Sequence, residues 1–242
     1  MLLFFVGLVA NVIGTLAGGG GLISLPTMLL LGMPVHASIG ANKVANTVST
    51  FSSFLRLFRS RELSIQEIWP ILVICGLGGT AGGLAASSFD GETLTFLALC
   101  LLIFAFFLSF LGKTDFGNVE KLPFSKRTSS LLFGIGVYDG LFGPGSGTLM
   151  LYVMAAKKLQ YFKAVLYGRV AIFATCFGAA MIYIITGQIL WKETIALMIG
   201  SIIGAHVGLH IARKVNANVA KILLRCITVI LIGQLALELY LH

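Results

Sequence analysis

The sequence predicts an all-α polytopic membrane protein that consists of two inverted-topology repeats. Three observations predict this fold: long uncharged apolar runs, an internal repeat, and a biased distribution of Lys and Arg. Of the 242 residues, 57% are hydrophobic and 11% are charged, a more apolar composition than soluble globular domains have. We therefore expect a multi-pass protein of the inner (plasma) membrane, surrounded by the lipid bilayer.

The uncharged apolar runs have the length of membrane-spanning helices. A helix needs roughly 20 apolar residues to cross a hydrocarbon layer about 30 Å thick. The runs are 69–89, 93–112, 140–156, 170–191 and 194–212. The N-terminal stretch is also apolar, but it has no Lys or Arg before its apolar part and no clear cleavage site. We interpret it as part of the mature protein rather than as a signal peptide.

The internal repeat is visible in three sequence matches. A shift of 126 residues places GTLAGGGG, which begins at Gly14, over GLFGPGSG, which begins at Gly140. The same shift places Lys43 over Arg169, and a shift of 125 places the glycine-rich segment at Gly79 over the one at Gly204. Matches in one order at a nearly constant offset indicate duplication.

Each repeat contains the same four elements in the same order. A Gly-interrupted apolar segment comes first, then a helix with one basic residue in its interior, a Gly-rich helix and a final helix. The predicted ranges are 2–32, 35–59, 66–89 and 93–112 in the first repeat, and 130–156, 160–187, 193–212 and 218–241 in the second. We thus divide the chain into a first repeat (1–112), a cytoplasmic linker (113–127) and a second repeat (128–242).

The basic residues predict how the elements cross the membrane, because Lys and Arg in short loops favour the cytoplasmic side. If each Gly-interrupted segment is re-entrant and returns to the side it came from, 14 of the 17 basic residues face the cytoplasm. They are Arg56, Arg59, Arg61, Lys113, Lys121, Lys126, Arg127, Lys157, Lys158, Lys163, Arg213, Lys214, Lys221 and Arg225. Three crossings per repeat then make the second repeat inverted relative to the first. The net charge of +8 is explained by this orientation, and we expect no nucleic-acid partner.

The two glycine runs predict broken helices at membrane depth. Glycine adopts backbone conformations closed to other residues, and irregular backbone within a bilayer is tolerated only where protein or water covers it. The amides at the start of the helix after each break carry the positive end of a helix dipole and suit an anion. The candidate residues are Gly19, Gly20, Gly21, Gly145, Ser146, Gly147 and Thr148. The alternative is that these glycines only permit close helix packing.

Other glycines follow the small-xxx-small spacing that brings membrane helices together. They are Gly78, Gly79, Gly82, Gly83, Gly200, Gly204 and Gly208. We predict that these seven residues lie at helix–helix contacts.

Polar residues inside the apolar segments are candidates for a binding site, because buried ionisable groups in membranes are costly. Lys43 and Arg169 occupy equivalent positions of the two repeats and would attract an anion, while Asn42, Asn46 and Thr47 could hydrogen-bond its oxygens. The alternative is that the two cations extend to a membrane interface and only anchor their helices.

Asp139 is the single carboxylate in the predicted broken segments. Three roles remain open for it: an ion pair with Arg169, the transfer of a coupling proton, or a cap on the broken helix.

The cysteines and histidines predict no cofactor and no metal site. Cys75, Cys100, Cys176 and Cys226 lie singly in apolar segments, and we interpret all four as small buried hydrophobic residues. His206 and His210 share a helix face at a spacing that metal sites also use, but no third ligand is evident nearby.

At these motifs the sequence resembles the TauE/SafE family of sulfite exporters and toluene sulfonate uptake permeases. The resemblance rests on GTLAGGGGLISLP (Gly14 to Pro26), on Gly32 and Ala37, on NKVANT (Asn42 to Thr47) and on GLFGPGSG (Gly140 to Gly147), and it extends over nearly the whole chain. The second half departs from the pattern at Tyr152, which stands where a proline would match Pro26, and at YGRVA around Arg169.

The resemblance implies a small transporter of anions such as sulfite, sulfonates or other organosulfur compounds, with Gly18 to Gly21, Asn42, Asn46 and Thr47 at the substrate. No ATP-binding glycine-lysine loop is present. We therefore expect a secondary transporter rather than an enzyme. It would use alternating access, and its transport could be coupled to protons. A passive anion channel and a membrane-embedded enzyme are the alternatives.

Overall fold

The computed structural model describes residues 1–59, 62–94 and 115–215, together with positions 96, 97, 100, 101, 219 and 222. This part of the chain is helical, apart from one isolated β-bridge between Val119 and Leu159. Its helices with assigned bounds are α1 (Leu2–Ala17), α2 (Gly21–Leu30), α3 (Val35–Arg59), α4 (Ile65–Ser88), α5 (Lys126–Leu141), α6 (Ser146–Ala156), α7 (Tyr161–Ile185) and α8 (Trp191–Ala212). The predicted final helices, 93–112 and 218–241, lie outside the described residues except for a few positions.

Both predicted interruptions are present. α1 ends at Ala17, and the next residue, Gly18, has a φ of 77° and donates its N–H to the carbonyl of Gly14 at 2.9 Å. The second break contains Gly143 and Gly145, with φ values of 107° and 82°. Positive φ values of this kind strain residues that carry a Cβ. Glycine is therefore what allows the chain to leave α1 and α5 and to begin a new helix within a few residues.

α5 begins at Lys126, within the predicted linker 113–127 and four residues before the predicted start of the second Gly-interrupted segment at residue 130. The side chain of Ser125 accepts a hydrogen bond from the amide of Thr128 at 3.2 Å and so caps the helix start. Upstream, Val119 exchanges backbone hydrogen bonds with the loop between α6 and α7, accepting from Gln160 and donating to Lys158. The linker is thus attached to the second repeat.

The two predicted repeats interlock through their helices. α1 of the first repeat packs on α8 of the second, and α5 of the second packs on α4 of the first. α3 and α7 contact each other, α3 also contacts α8, and α7 also contacts α4. The interior of the molecule is therefore built by both repeats together.

The predicted packing glycines lie at these contacts, which confirms their assignment. A Cβ on Gly200 of α8 would lie 1.9 Å from the carbonyl oxygen of Phe4 in α1, and a Cβ on Gly82 of α4 would lie 2.1 Å from that of Val137 in α5. At the remaining five glycines the nearest atom of a neighbouring helix would lie 2.1 to 3.0 Å from an added Cβ: Gly78, Gly79, Gly83, Gly204 and Gly208. Small residues let the helix backbones approach, and this packing replaces the hydrophobic force that is missing in lipid.

Apolar side chains face outward and polar ones face inward. Every fourth residue of α8 from Ile195 to Val207 is a large exposed hydrophobic side chain. α3 instead buries the polar residues Ser38, Asn42, Lys43, Ser49, Thr50 and Ser53. Within the described residues, α4, α7 and α8 are long and apolar enough to cross a membrane. α3 has 25 residues but is less apolar than these three helices, because it contains many polar residues. These polar side chains point into the protein.

Candidate functional site

The two helix breaks contact each other in the interior. A Cβ on Gly18 would lie 2.0 Å from the carbonyl carbon of Gly147, so the two backbones touch at these glycines. The hydroxyl of Thr148 donates to the carbonyl of Ala17 at 2.8 Å, and that of Tyr161 donates to the carbonyl of Leu16 at 2.6 Å. Side chains of the second repeat thus satisfy the last carbonyls of α1.

A cavity of about 50 Å³ lies where the breaks meet, lined by residues of both repeats. A water molecule needs about 10–15 Å³ on this measure, so the cavity has room for a few waters or a small ion. Nine of the predicted site residues line it: Gly20, Gly21, Asn42, Lys43, Asn46, Asp139, Ser146, Gly147 and Arg169.

Four other predicted residues do not line the cavity. Thr148 joins the two breaks, and Thr47 donates its hydroxyl to the carbonyl of Lys43 in its own helix at 2.8 Å. Gly145 provides a turn with positive φ, and Gly19 lies within the first break. In this structure these residues shape the backbone around the cavity.

Backbone amides at the two helix starts are available to a ligand. Among the described residues, the N–H groups of Gly20 and Gly21 at the start of α2 donate to no backbone carbonyl, and the same holds for Gly147 in α6. Each of these residues lines the cavity. Free amides and the positive end of the helix dipole together favour negative charge there.

Lys43 and Asp139 form a buried ion pair across the repeats. Lys43 is 1% exposed, and its Nζ lies 3.0 Å from Asp139 Oδ1 and also donates to the Asp139 carbonyl. The hydroxyl of Ser146 donates to the same Oδ1 at 2.6 Å. The hydroxyl of Thr175 and the thiol of Cys176 both donate to Oδ2. The ion-pair partner of Asp139 is therefore Lys43 and not Arg169, because α3 brings Lys43 against the end of α5.

Arg169 has no such partner. It is 5% exposed and lines the cavity, and its Nη2 donates to the hydroxyl of Ser53 at 3.2 Å. Its Nε has no hydrogen-bond partner, and none of the described carboxylates pairs with it. A buried guanidinium without a counter-charge is unfavourable. Neither Arg169 nor Lys43 reaches the protein surface, which argues against a purely anchoring role.

A chain of side-chain hydrogen bonds between α1 and α3 runs along the cavity, and its members Asn11, Asn42 and Asn46 line it. Ser49 Oγ donates to Asn11 Oδ1 at 3.2 Å, Asn11 Nδ2 donates to Asn46 Oδ1 at 3.3 Å, and Asn46 Nδ2 donates to Asn42 Oδ1 at 2.7 Å. Ser24 also donates to Asn42 Oδ1. The oxygen of Asn42 is therefore occupied, and its Nδ2 has no partner among the described residues. The chain ends in a hydrogen-bond donor at the cavity.

Several site residues were missed by the sequence prediction. Asn11 is the polar side chain in the middle of apolar α1, and this contrast was the available signal. Cys176 was predicted to be a small buried residue; it is buried, but it also lines the cavity and contacts Asp139. Cys75 is buried as predicted, whereas Cys100 is exposed, because a membrane helix turns part of its apolar surface outward. Cys226 lies outside the described residues.

The sequence matches the family profile described as "Sulfite exporter TauE/SafE" over residues 3–235. The chain belongs to the TauE/SafE family. This confirms the resemblance that the glycine motifs and NKVANT indicated. Together with the apolar helices, it also confirms the prediction of a multi-pass membrane protein of the plasma membrane.

Relatives of this TauE/SafE chain have names that denote transport. A "Probable membrane transporter protein" of Haemophilus influenzae is 35% identical over 237 residues, which cover 95% of this chain and 90% of the relative. "Probable membrane transporter protein ORF9" of Sinorhizobium sp is 32% identical, with 95% and 89% covered. "Probable membrane transporter protein YfcA" of Escherichia coli is 25% identical, with 85% and 78% covered. No solved structure matches the chain. The family and these names support a membrane transporter.

Proposed function

We propose that this protein is a secondary transporter that binds a small oxyanion, such as sulfite or a sulfonate, in the cavity between the two helix breaks. The observation that carries this proposal is Arg169: a buried guanidinium beside the cavity, without a carboxylate partner among the described residues. A bound anion would supply the missing counter-charge. The description of the family, "Sulfite exporter TauE/SafE", supports a sulfur oxyanion.

In this proposal each cavity residue has a role. Arg169 neutralises the charge of the anion, and the amides of Gly20, Gly21 and Gly147 bind its oxygens as helix starts bind other oxyanions. Asn42 donates from its free Nδ2 and fixes the orientation. The small volume of about 50 Å³ favours an anion of a few heavy atoms over a large organic acid.

Transport by alternating access requires two parts that rock against each other around the site, and inverted repeats are a usual source of such parts. The helix contacts are consistent with this arrangement. α1 and α5, the first helices of the two repeats, each pack on the Gly-rich helix of the other repeat, and α3 and α7 contact each other at the centre. We propose that the two broken segments are re-entrant and that the repeats are inverted.

Asp139 is the residue that we propose for proton coupling. It is buried, and its carboxylate binds Lys43, Ser146 and Thr175. A proton on this carboxylate would remove its attraction for the ammonium group. Lys43 would then be free to turn toward an anion in the cavity, which would link proton binding to anion binding.

The test is a flux assay in proteoliposomes with sulfite and methanesulfonate. A proton-coupled carrier shows saturable uptake, counterflow and a response to an imposed pH gradient. Flux without counterflow would instead indicate a channel, and conversion of the anion without flux would indicate an enzyme. Arg169→Gln should abolish uptake. Lys126→Gln, which removes one exposed positive charge at the start of α5, should leave it unchanged.

A further inference from the structure

The charges around the cavity have a consequence for the valence of the anion. Three charged side chains line it among the described residues: Lys43, Asp139 and Arg169. Lys43 and Asp139 are neutral as a pair, whether the shared proton lies on the nitrogen or on the oxygen. Arg169 remains protonated in proteins. The cavity therefore carries one net positive charge as long as Asp139 has not taken up the proposed coupling proton.

We propose that the Lys43–Asp139 pair is a valence filter, which restricts the cavity to singly charged oxyanions and disfavours doubly charged ones. This inference rests on the proposed function, since it specifies the substrate class of the same site. A monoanion, such as a sulfonate or hydrogensulfite, neutralises Arg169, whereas a dianion of equal size, such as fully ionised sulfite, leaves one uncompensated negative charge in the protein interior. Such a buried unpaired charge is strongly unfavourable. Asp139 thus determines the specificity for singly charged anions, because it neutralises the charge of Lys43.

The hydrogen bonds of Lys43 explain why it does not neutralise the second negative charge of a dianion. Its Nζ donates to both the carboxylate and the main-chain carbonyl of Asp139. Ser146 and Thr175 occupy further acceptor sites of the carboxylate, so the pair is fixed from three helices. As long as Asp139 holds a negative charge, Lys43 is bound to it.

Apolar side chains in the cavity lining also favour a singly charged anion with one apolar substituent. Leu151, Val165 and Ile172 line the cavity from α6 and α7 and offer no hydrogen-bond donor from their side chains. An oxygen placed against them would lose its hydration without compensation, whereas a methyl group would not. A sulfonate with one apolar substituent fits this lining better than sulfate does.

The test compares methanesulfonate with sulfate, two tetrahedral anions of similar size that differ by one charge. Dissociation constants are measured by calorimetry on the full-length protein in detergent, at equal ionic strength with gluconate as background anion. We expect methanesulfonate to bind at least about tenfold more tightly than sulfate. In Asp139→Asn the cavity carries two positive charges, and this preference should fall at least about tenfold or reverse.

The double variant Lys43→Met with Asp139→Asn is the matched control, because it removes the pair but restores one net positive charge. Its preference for methanesulfonate should return to the value of the unmodified protein. A role of Asp139 in folding alone would weaken both anions together and leave their ratio unchanged. The two anions also differ in their methyl group and their hydration, but these differences are the same in every variant. A change in the ratio of the two dissociation constants therefore reports the charge of the cavity.

Asn46→Lys is a second route to the same result if Asp139→Asn fails to fold. It adds a positive charge at a cavity-lining position and leaves the Lys43–Asp139 pair in place. It should also shift the preference toward sulfate. Binding of both anions with a ratio that neither variant changes would overturn the valence filter and leave the proposed transport function standing. Binding of neither anion by the unmodified protein would overturn both.

Discussion

Lys43 of α3 and Asp139 of α5 form an ion pair, with Nζ 3.0 Å from Oδ1, that joins the two repeats inside the molecule. The two residues are 96 positions apart in the chain, and each belongs to a helix next to one of the glycine breaks. Their side chains are 2% and 4% exposed. In the proposed function, stability and anion binding are therefore coupled at this contact.

Removal of one member of the pair should destabilise the protein. In Lys43→Ala, the carboxylate of Asp139 stays buried without its counter-charge, which costs about 3–5 kcal/mol in comparable cases. Thermal unfolding in detergent measures the effect as a fall in Tm. The control is Lys121→Gln, whose exposed pair with Glu67 should contribute no more than about 1 kcal/mol. Equal Tm values for the two variants would contradict a structural role of the buried pair.

Gly18→Ala should disrupt the contact between the helix breaks. The new Cβ would lie 2.0 Å from the carbonyl carbon of Gly147, so the two backbones would have to separate and the cavity would lose its shape. We expect a cost above the roughly 1–3 kcal/mol typical of overpacking and a loss of transport.

Gly32→Ala is the matched control for Gly18→Ala. Gly32 has nearly the same φ, 76° compared with 77°, but no atom lies within 4 Å of the added Cβ. Only the backbone penalty of about 1–2 kcal/mol for a left-handed residue remains. Similar losses of Tm and flux in the two variants would mean that φ alone, and not the Gly18–Gly147 contact, requires glycine.

Arg169→Gln should separate function from stability. The substitution removes a buried charge that has no carboxylate partner among the described residues, so Tm should be unchanged or higher. Anion affinity should fall at least about tenfold, because the site loses its net positive charge. Calorimetry with methanesulfonate and thermal unfolding measure the two quantities on one sample. A marked fall in Tm with intact affinity would assign Arg169 to the structure rather than to the site.

Cys176 should report occupancy of the cavity. It lines the cavity and contacts Asp139, whereas Cys75 is buried beside the carbonyl of Leu132, away from it. Methyl methanethiosulfonate, a small neutral reagent, reacts with thiolates, so the buried Cys176 thiol beside the Asp139 carboxylate should be modified slowly, with a gradual loss of flux, and bound methanesulfonate should slow this loss further. Cys176→Ala should remove the sensitivity, and Cys75→Ala should not. Inhibition that persists in Cys176→Ala would show that the reagent acts elsewhere.

The sequence predicted the backbone of the site better than its electrostatics. Glycine runs and repeated offsets are local features, so the breaks near Gly18 and Gly145 could be placed before any coordinates were known. The pairing of Asp139 depends on how α3 and α5 meet in three dimensions. The repeat suggested Arg169 as a partner and as the equivalent of Lys43, but it could not decide which cation would be neutralised. The contact of Asn11 with Asn46 was missed for the same reason, because it joins α1 to α3.

The packing of α1 on α8 also bears on how the protein is synthesised. Gly7 of α1 contacts the backbone of Leu197, so the ribosome must add nearly 190 residues after Gly7 before its partner exists. At about 5–20 residues per second, α1 waits roughly 10–40 seconds in the bilayer or beside the insertion machinery. During this time the face of α1 that Gly200, Gly204 and Gly208 later cover is open to other chains. Assembly of the first helix is thus one of the last events in folding, and the cell has to protect that face until translation is almost complete.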